Sequence, residues 1–91
     1  MKILLDQPLN GMKMYLESFG YEVSSAYDKK MSSSPDHELI TESMEQNYLF
    51  VTNNNDAAKL ARMHGANLIQ IDMAFLAKAV HRELQSHAAS E

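Results

Sequence analysis

Three short apolar runs and one weaker, mixed run alternate with segments of helical period along the whole chain, and this alternation limits the fold more than any other feature. The runs cover residues 2–6, 21–24, 48–52 and 67–71. After each run, apolar residues recur at spacings of three and four, as on one face of a helix. Strict alternation of strands and helices favours right-handed crossovers between parallel strands. The sequence therefore predicts one α/β domain over residues 1–91, with a four-stranded parallel sheet and helices on both faces in a three-layer, Rossmann-like arrangement.

The last helical segment is expected to pack one face against this sheet. Asp72 precedes it at a position where a side-chain oxygen can cap the first turn of a helix. The apolar residues that follow at helical spacing are expected to point inward, and they are Leu76, Ala79, Val80 and Leu84.

Composition predicts a folded domain with a small core. Leu, Ile, Val and Phe together supply 20 of the 91 residues. That share, about 22%, is just above the level typical of disordered chains. A chain of this length buries only about 60–65% of the surface that its unfolded form exposes. We therefore expect modest stability unless a second subunit adds to the core, as a second copy would in a homodimer.

Residue types exclude several classes of protein. The chain has no cysteine, so disulfides, thiolate metal sites and cysteine nucleophiles are ruled out. No run approaches the ~20 apolar residues of a membrane span, and Asp6 comes too early for a signal peptide. A cytoplasmic protein without a membrane partner is expected. The net charge of −4 disfavours a protein that coats nucleic acid, but it is compatible with a metal-assisted enzyme.

Acidic side chains recur where predicted strands end or the following helices begin. Asp6 ends the first strand, Asp36 opens the second helix and Asp56 opens the third. The carboxyl ends of parallel strands form the ligand-binding edge of such sheets, and clustered carboxylates there favour Mg²⁺ or Mn²⁺. Helix capping alone also explains Asp36 and Asp56. Asp6 is different, because it ends a buried strand where capping does not obviously require an acid.

Four segments together resemble one known family. They are residues 1–7 (MKILLDQ), 20–23 (GYEV), 36–40 (DHELI) and 49–56 (LFVTNNND). In this order and spacing they are similar to the small PIN-like domain family. Its pattern is an apolar strand ending Leu-Leu-Asp-Glu-Asn, a Gly-His-Asp-Val strand, an Asp that opens the second helix, and Val-Thr-x-Asp-x-Asp-Phe. The resemblance runs from Lys2 to the last helix.

The resemblance implies a metal-dependent ribonuclease site built from clustered acids, with Mg²⁺ or Mn²⁺ as cofactor. Asp6 matches the first acid of the family pattern, Asp36 the second and Asp56 the fourth. Two positions depart from the pattern, because Gln7 replaces a Glu and Asn54 replaces the third acid. An Asn offers a carbonyl oxygen without charge, so metal affinity is expected to be weaker.

The resemblance also implies partners, since such domains resemble the toxin ribonucleases of toxin–antitoxin pairs. RNA would be the substrate, and an antitoxin-like protein would be the binding partner. Lys59 and Arg62 follow Asp56 on the predicted third helix and could hold an RNA phosphate, although solvated helix charges are common. The alternative is a catalytically degenerate PIN-like module that binds protein, and Gln7 and Asn54 favour it. A receiver-type phosphoacceptor is disfavoured, because no Lys follows a late strand.

Overall fold

A computed structural model describes residues 1–89. Its elements are, in chain order, β1 (Lys2–Leu5), a 3₁₀ helix (Gln7–Met12), α1 (Lys13–Ser18), β2 (Glu22–Ser25), α2 (Asp36–Glu45), β3 (Leu49–Thr52), α3 (Asn55–Met63), β4 (Leu68–Gln70) and α4 (Met73–Ala89). None of the helices in this part of the chain combines the length and apolarity that a membrane crossing needs.

The four strands form one parallel sheet in the order β2-β1-β3-β4. Leu4 and Phe50 are partners across the two central strands, and Leu68 continues this row on β4. The predicted fold class is confirmed: α/β, with a four-stranded parallel sheet between two layers of helices. The chain reverses its strand order between β1 and β3, so a crevice is expected at their carboxyl ends.

One face of the sheet is covered by α2 and α3 and holds the larger core. Leu4 and Phe50 from the central strands are fully buried there, and Ile40 reaches them from α2. Helix α3 contributes small side chains, Ala57 and Ala61, which are also fully buried. Alanine lets a helix backbone approach the sheet closely, so α3 packs against Leu4 and Phe50 without large buried side chains of its own.

The opposite face is covered by the 3₁₀ helix and α1. Its buried residues are Ile3, Leu5, Val23 and Val51, and Leu9, Met12, Leu16 and Ile71 pack against them while partly exposed. Helix α1 has only six residues and none of them is buried. This face therefore has a thinner cover than the other.

The structure corrects the prediction for the last helix. Helix α4 begins where expected, because the Asp72 carboxylate accepts a hydrogen bond of 2.8 Å from the Phe75 N–H. However, every residue from Met73 to Ala89 is exposed. Leu76, Val80 and Leu84, predicted to face inward, keep 44%, 56% and 61% of their surface in solvent, and Ala79 is exposed as well. The helix leaves the sheet instead of folding back over it, and the protein measures 49 Å along its long axis against 27 and 20 Å across.

Candidate functional site

An open cleft lies at the carboxyl ends of β1 and β3, where the strand order reverses. Its volume is about 520 Å³, within the range of known ligand sites. Most of its lining side chains carry oxygen or amide groups; the residues are Asp6, Gln7, Pro8, Ser32, Asp36, Asn53 and Asn54. Two of the three predicted acids, Asp6 and Asp36, therefore border one cleft.

The Asp6 carboxylate is held by two hydrogen bonds. One oxygen, Oδ1, accepts from the Gln7 N–H at 2.9 Å and so caps the 3₁₀ helix. The other, Oδ2, accepts from the Thr52 hydroxyl at 2.7 Å. Asp6 is therefore a capping residue after all, contrary to the interpretation from the sequence, and its need for a partner is met without a metal. Each carboxylate oxygen keeps lone-pair capacity for a further contact.

Thr52 joins the ends of the two central strands. Its side chain is completely buried, and its hydroxyl both donates to Asp6 and accepts from the Asn54 N–H at 3.1 Å. A buried hydroxyl costs little when its donor and acceptor capacities are used in this way. Thr52 thereby fixes the position of the Asp6 carboxylate relative to the start of α3.

Asp36 borders the same cleft from the start of α2, after the loop that follows β2. It is the first residue of α2 and is half-buried. Within residues 1–89 its carboxylate makes no hydrogen bond or ion pair. Its negative charge is favourable beside the N–H groups of the first turn, where the helix dipole is positive. Asp36 is thus the carboxylate in the cleft that remains free to contact a ligand.

Asn54 caps helix α3. Its Oδ1 accepts from the N–H groups of Asp56 and Ala57 at 2.8 and 3.0 Å. The amide oxygen of Asn54, which is the atom that could bind a metal ion, therefore already accepts two hydrogen bonds. The side-chain NH₂ remains available to the cleft. Asp56 is exposed in the first turn of α3 and is not one of the residues that line the cleft.

The two predicted substrate-binding cations also lie outside the cleft lining. Lys59 is exposed on α3. Arg62 donates to the Gln70 Oε1 at 2.8 Å, and the Gln70 amide in turn donates to Asn55. This network links α3 to β4, so Arg62 has a structural role in joining the two elements.

The cleft offers oxygen donors that suit Mg²⁺ or Mn²⁺, but it does not bring three acids together. Within residues 1–89 no group of three or more His, Cys, Asp or Glu side chains could hold a metal ion. Mg²⁺ in proteins commonly uses only one or two carboxylates and completes its shell with water and substrate phosphate. Asp6 and Asp36 fit that limited donor set, and Asp56 does not extend it.

The loop between β2 and α2 is anchored beside the cleft. The Asp28 carboxylate accepts from the Lys13 ammonium at 2.7 Å and from the Ser25 N–H at 3.0 Å. The hydrogen bond from Lys13, with that from Ser25, lowers the pKa of Asp28 below its usual value, and the same contact raises the pKa of Lys13. The loop carries Ser32 into the cleft and leads directly to α2.

The sequence indicated the acids of the cleft but missed Thr52, Ser32 and Asn53. Thr52 had one available signal, since it is the polar last residue of the otherwise apolar strand β3. Ser32 lies in a segment without periodicity, so no pattern places it. Asn53 is one of three consecutive asparagines, and only the geometry of the β3–α3 connection shows that Asn53 and Asn54 line the cleft and Asn55 does not.

The chain matches no sequence-family model, and neither a curated protein nor a solved structure is significantly similar to it.

Proposed function

We propose that this protein is a PIN-like, metal-dependent ribonuclease that uses the cleft at the ends of β1 and β3. The observation that supports the proposal is the shared location of Asp6 and Asp36 on one open, polar cleft. The strand order adds support, because ligands of such sheets bind where the order reverses. Single-stranded RNA is the proposed substrate class, and an antitoxin-like protein is the proposed regulator.

Each residue of the cleft has a role in this proposal that follows from its side-chain chemistry. Asp6 is held in position by Thr52 and the Gln7 N–H, so it offers a preorganised carboxylate. Asp36 offers the unengaged carboxylate, and these two would hold Mg²⁺ or Mn²⁺. The ion would supply polarisation of the phosphodiester and a bound water of lowered pKa. The amides of Gln7 and Asn53 can donate to phosphate oxygens and so orient the RNA backbone.

A second candidate, a PIN-like module that binds protein without catalysis, is favoured by Asn54. At this position the family resemblance implies an acid, whereas the Asn54 oxygen here is occupied in capping α3. Gln7 likewise replaces an acid with a neutral amide. A site with fewer charges binds divalent ions more weakly.

Thermal unfolding in a Mn²⁺ titration, paired with cleavage of a fluorescent single-stranded RNA, tests the proposal. Binding to the native state raises stability by about 2.7 kcal/mol when the ion reaches 100 times its Kd. We expect Asp36→Asn to remove this stabilisation and the cleavage, because it deletes the free carboxylate and breaks no hydrogen bond.

Glu38→Gln is the matched control, since it removes one charge from the same helix at an exposed position outside the cleft lining. It should retain both the Mn²⁺ response and cleavage. If millimolar Mn²⁺ leaves the unfolding of the unmodified protein unchanged and no cleavage occurs, the ribonuclease proposal is contradicted. If Glu38→Gln reduces the Mn²⁺ response and cleavage as much as Asp36→Asn does, the reduction results from the change in net charge and not from the loss of a specific site.

A further inference from the structure

A depression in the surface adjoins the cleft and shares a wall with it. Its volume is about 480 Å³, and its lining residues are Tyr27, Asp28, Lys30, Ser32 and Ser33. Ser32 also lines the cleft, so the two spaces meet at this residue. A polymer that lies in the cleft therefore has room for a neighbouring unit in this space, which we call the Tyr27 depression.

The Tyr27 side chain presents an aromatic ring that has no partner in the fold. It is 66% exposed, and its hydroxyl makes no hydrogen bond within residues 1–89. Neither of the two core clusters includes it. Packing therefore does not account for a large ring at this position. An exposed ring of this kind is a surface on which an unstacked nucleic-acid base can lie.

The backbone holds Tyr27 in place although its side chain is exposed. The Lys30 N–H donates to the Tyr27 carbonyl at 3.0 Å, and the Met31 N–H donates to the Ala26 carbonyl at 2.8 Å. Lys30 completes this turn with a φ of 59°, in the left-handed region that few residues other than glycine adopt. A ring on a turn fixed in this way loses little conformational entropy when a ligand stacks on it.

The polar groups of the depression suit the backbone of a nucleotide. Lys30 is exposed and forms no ion pair within residues 1–89, so its ammonium is free to contact a phosphate. The Asp28 carboxylate is paired with Lys13, which offsets its repulsion of a phosphate. The hydroxyls of Ser32 and Ser33 can donate to sugar or phosphate oxygens. The depression thus combines a ring for a base with a cation and hydroxyls for the backbone.

We propose that the Tyr27 depression binds the base of the nucleotide next to the phosphate that lies in the cleft, with Tyr27 as the stacking surface and Lys30 as a phosphate contact. This inference rests on the proposed ribonuclease function, since an RNA strand in the cleft is what brings a base to the ring. It explains a requirement for single-stranded substrate, because a base inside a duplex is already stacked and paired. Tyr27 and Lys30 are binding residues that take no part in hydrolysis.

Fluorescence anisotropy of a short, labelled single-stranded RNA tests the proposal on the full chain. Ca²⁺ replaces Mn²⁺ in this measurement, and electrophoresis checks that the strand stays intact. We expect Tyr27→Ala to weaken binding at least about fivefold, the lower end of the effect of one base stacked on an aromatic ring. Tyr27→Phe keeps the ring and should bind as the unmodified protein does. Tyr15→Ala is the matched control, because it removes a ring that is 72% exposed on α1, outside both the depression and the cleft.

Removal of a base from the RNA separates stacking from other effects. An abasic site is placed at each position of the strand in turn. At one position the abasic RNA should bind the unmodified protein as weakly as the intact RNA binds Tyr27→Ala, and Tyr27→Ala should weaken its binding no further. Lys30→Gln should weaken the binding of intact and abasic RNA alike and reduce its dependence on salt, because its contact is with phosphate. Lys78→Gln, exposed on α4, is the control for this change.

The response of thermal unfolding to Mn²⁺ distinguishes a failure of this proposal from a failure of the ribonuclease proposal. Tyr27→Ala should retain that response, because Tyr27 does not line the cleft. If Tyr27→Ala binds RNA as tightly as the unmodified protein does, the base site is wrong and the ribonuclease proposal stands. Equal losses for Tyr27→Ala and Tyr15→Ala also overturn the base site. A Mn²⁺ response without any RNA binding overturns the base site and leaves the metal site, whereas the absence of both overturns the two proposals together.

Discussion

Helices α3 and α4 begin in the same way, but α3 packs against the sheet whereas α4 is exposed along its length. Each follows a strand directly and is capped by a side-chain oxygen, that of Asn54 in α3 and that of Asp72 in α4. Helix α3 has nine residues, and three of its alanines are buried. Helix α4 has seventeen residues and larger apolar side chains, yet it buries none of them.

The difference shows that apolar periodicity identifies the face of a helix that can be buried. It does not identify the surface against which that face packs. The small residues of α3 meet a sheet that already presents Leu4 and Phe50. The apolar residues of α4 meet no surface of their own domain. Stability should therefore respond strongly to changes around α3 and weakly to changes on α4, except where α4 contacts another molecule.

The largest contrast is expected between two phenylalanines. Phe50 packs in the cluster under α3 with no exposed surface, whereas Phe75 on α4 is 40% exposed. Phe50→Ala should lower the free energy of unfolding by about 3–5 kcal/mol through lost burial and a cavity. Phe75→Ala should cost less than about 1.5 kcal/mol. Urea unfolding at a concentration where the protein is monomeric measures both, and equal losses would contradict the comparison.

A smaller effect is expected from removing the two caps. Loss of an N-cap costs about 1 kcal/mol of helix stability. Asn54→Ala should lower the unfolding midpoint of the whole domain, because α3 is part of the core. Asp72→Ala should leave that midpoint unchanged and only reduce the far-ultraviolet helical signal, since α4 frays on its own. A shared shift in the midpoint for both variants would show that α4 is coupled to the core in the monomer.

The smallest effect is expected at α1. This helix buries none of its residues, but the Lys13–Asp28 ion pair attaches it to the loop that follows β2. The pKa of Asp28 is lowered by the Lys13 hydrogen bond, so its stabilisation is present above pH 3.8 and is lost as pH falls through the lower folded pKa. The pKa of Lys13 is raised, so its stabilisation is present below pH 10.5 and is lost as pH rises through the higher folded pKa.

Asp28→Asn should therefore flatten the acid limb of the stability–pH curve without changing its neutral plateau by much, because the pair is about a third exposed. Glu45→Gln, an exposed change outside both ion pairs, is the control. An acid limb that Asp28→Asn leaves unaltered would mean that the contact does not hold α1 in solution.

Local signals in the sequence were sufficient to predict the fold, but they predicted the residues of the cleft only in part. The short strands and the cap at Asp72 are set by neighbours in the chain, so the sequence predicted them. The position of Asp6 and Asp36 on one cleft depends on strand order, which alternation also constrains. The separation of Asp56 from the cleft lining depends on the turn that the Asn54 cap imposes. A one-dimensional pattern does not specify this turn.

Ser34 shows the same limit at a helix start. Serine is a residue type that commonly caps helices, but Pro35 occupies the capping position and no side chain caps α2. The fixed backbone angle of Pro35 determines which residue opens the helix, and this outweighs the side-chain preference of its neighbour.

The short outer strands of the sheet have a consequence for how molecules of this protein can meet. The edge strands β2 and β4 have four and three residues, and β2 begins with the exposed Glu22. A short edge presents few unpaired N–H and C=O groups, and a charge on it opposes the addition of another strand. Growth of the sheet from one molecule into the next is therefore disfavoured, so crowding of this chain would lead to contact through helices and not to fibres.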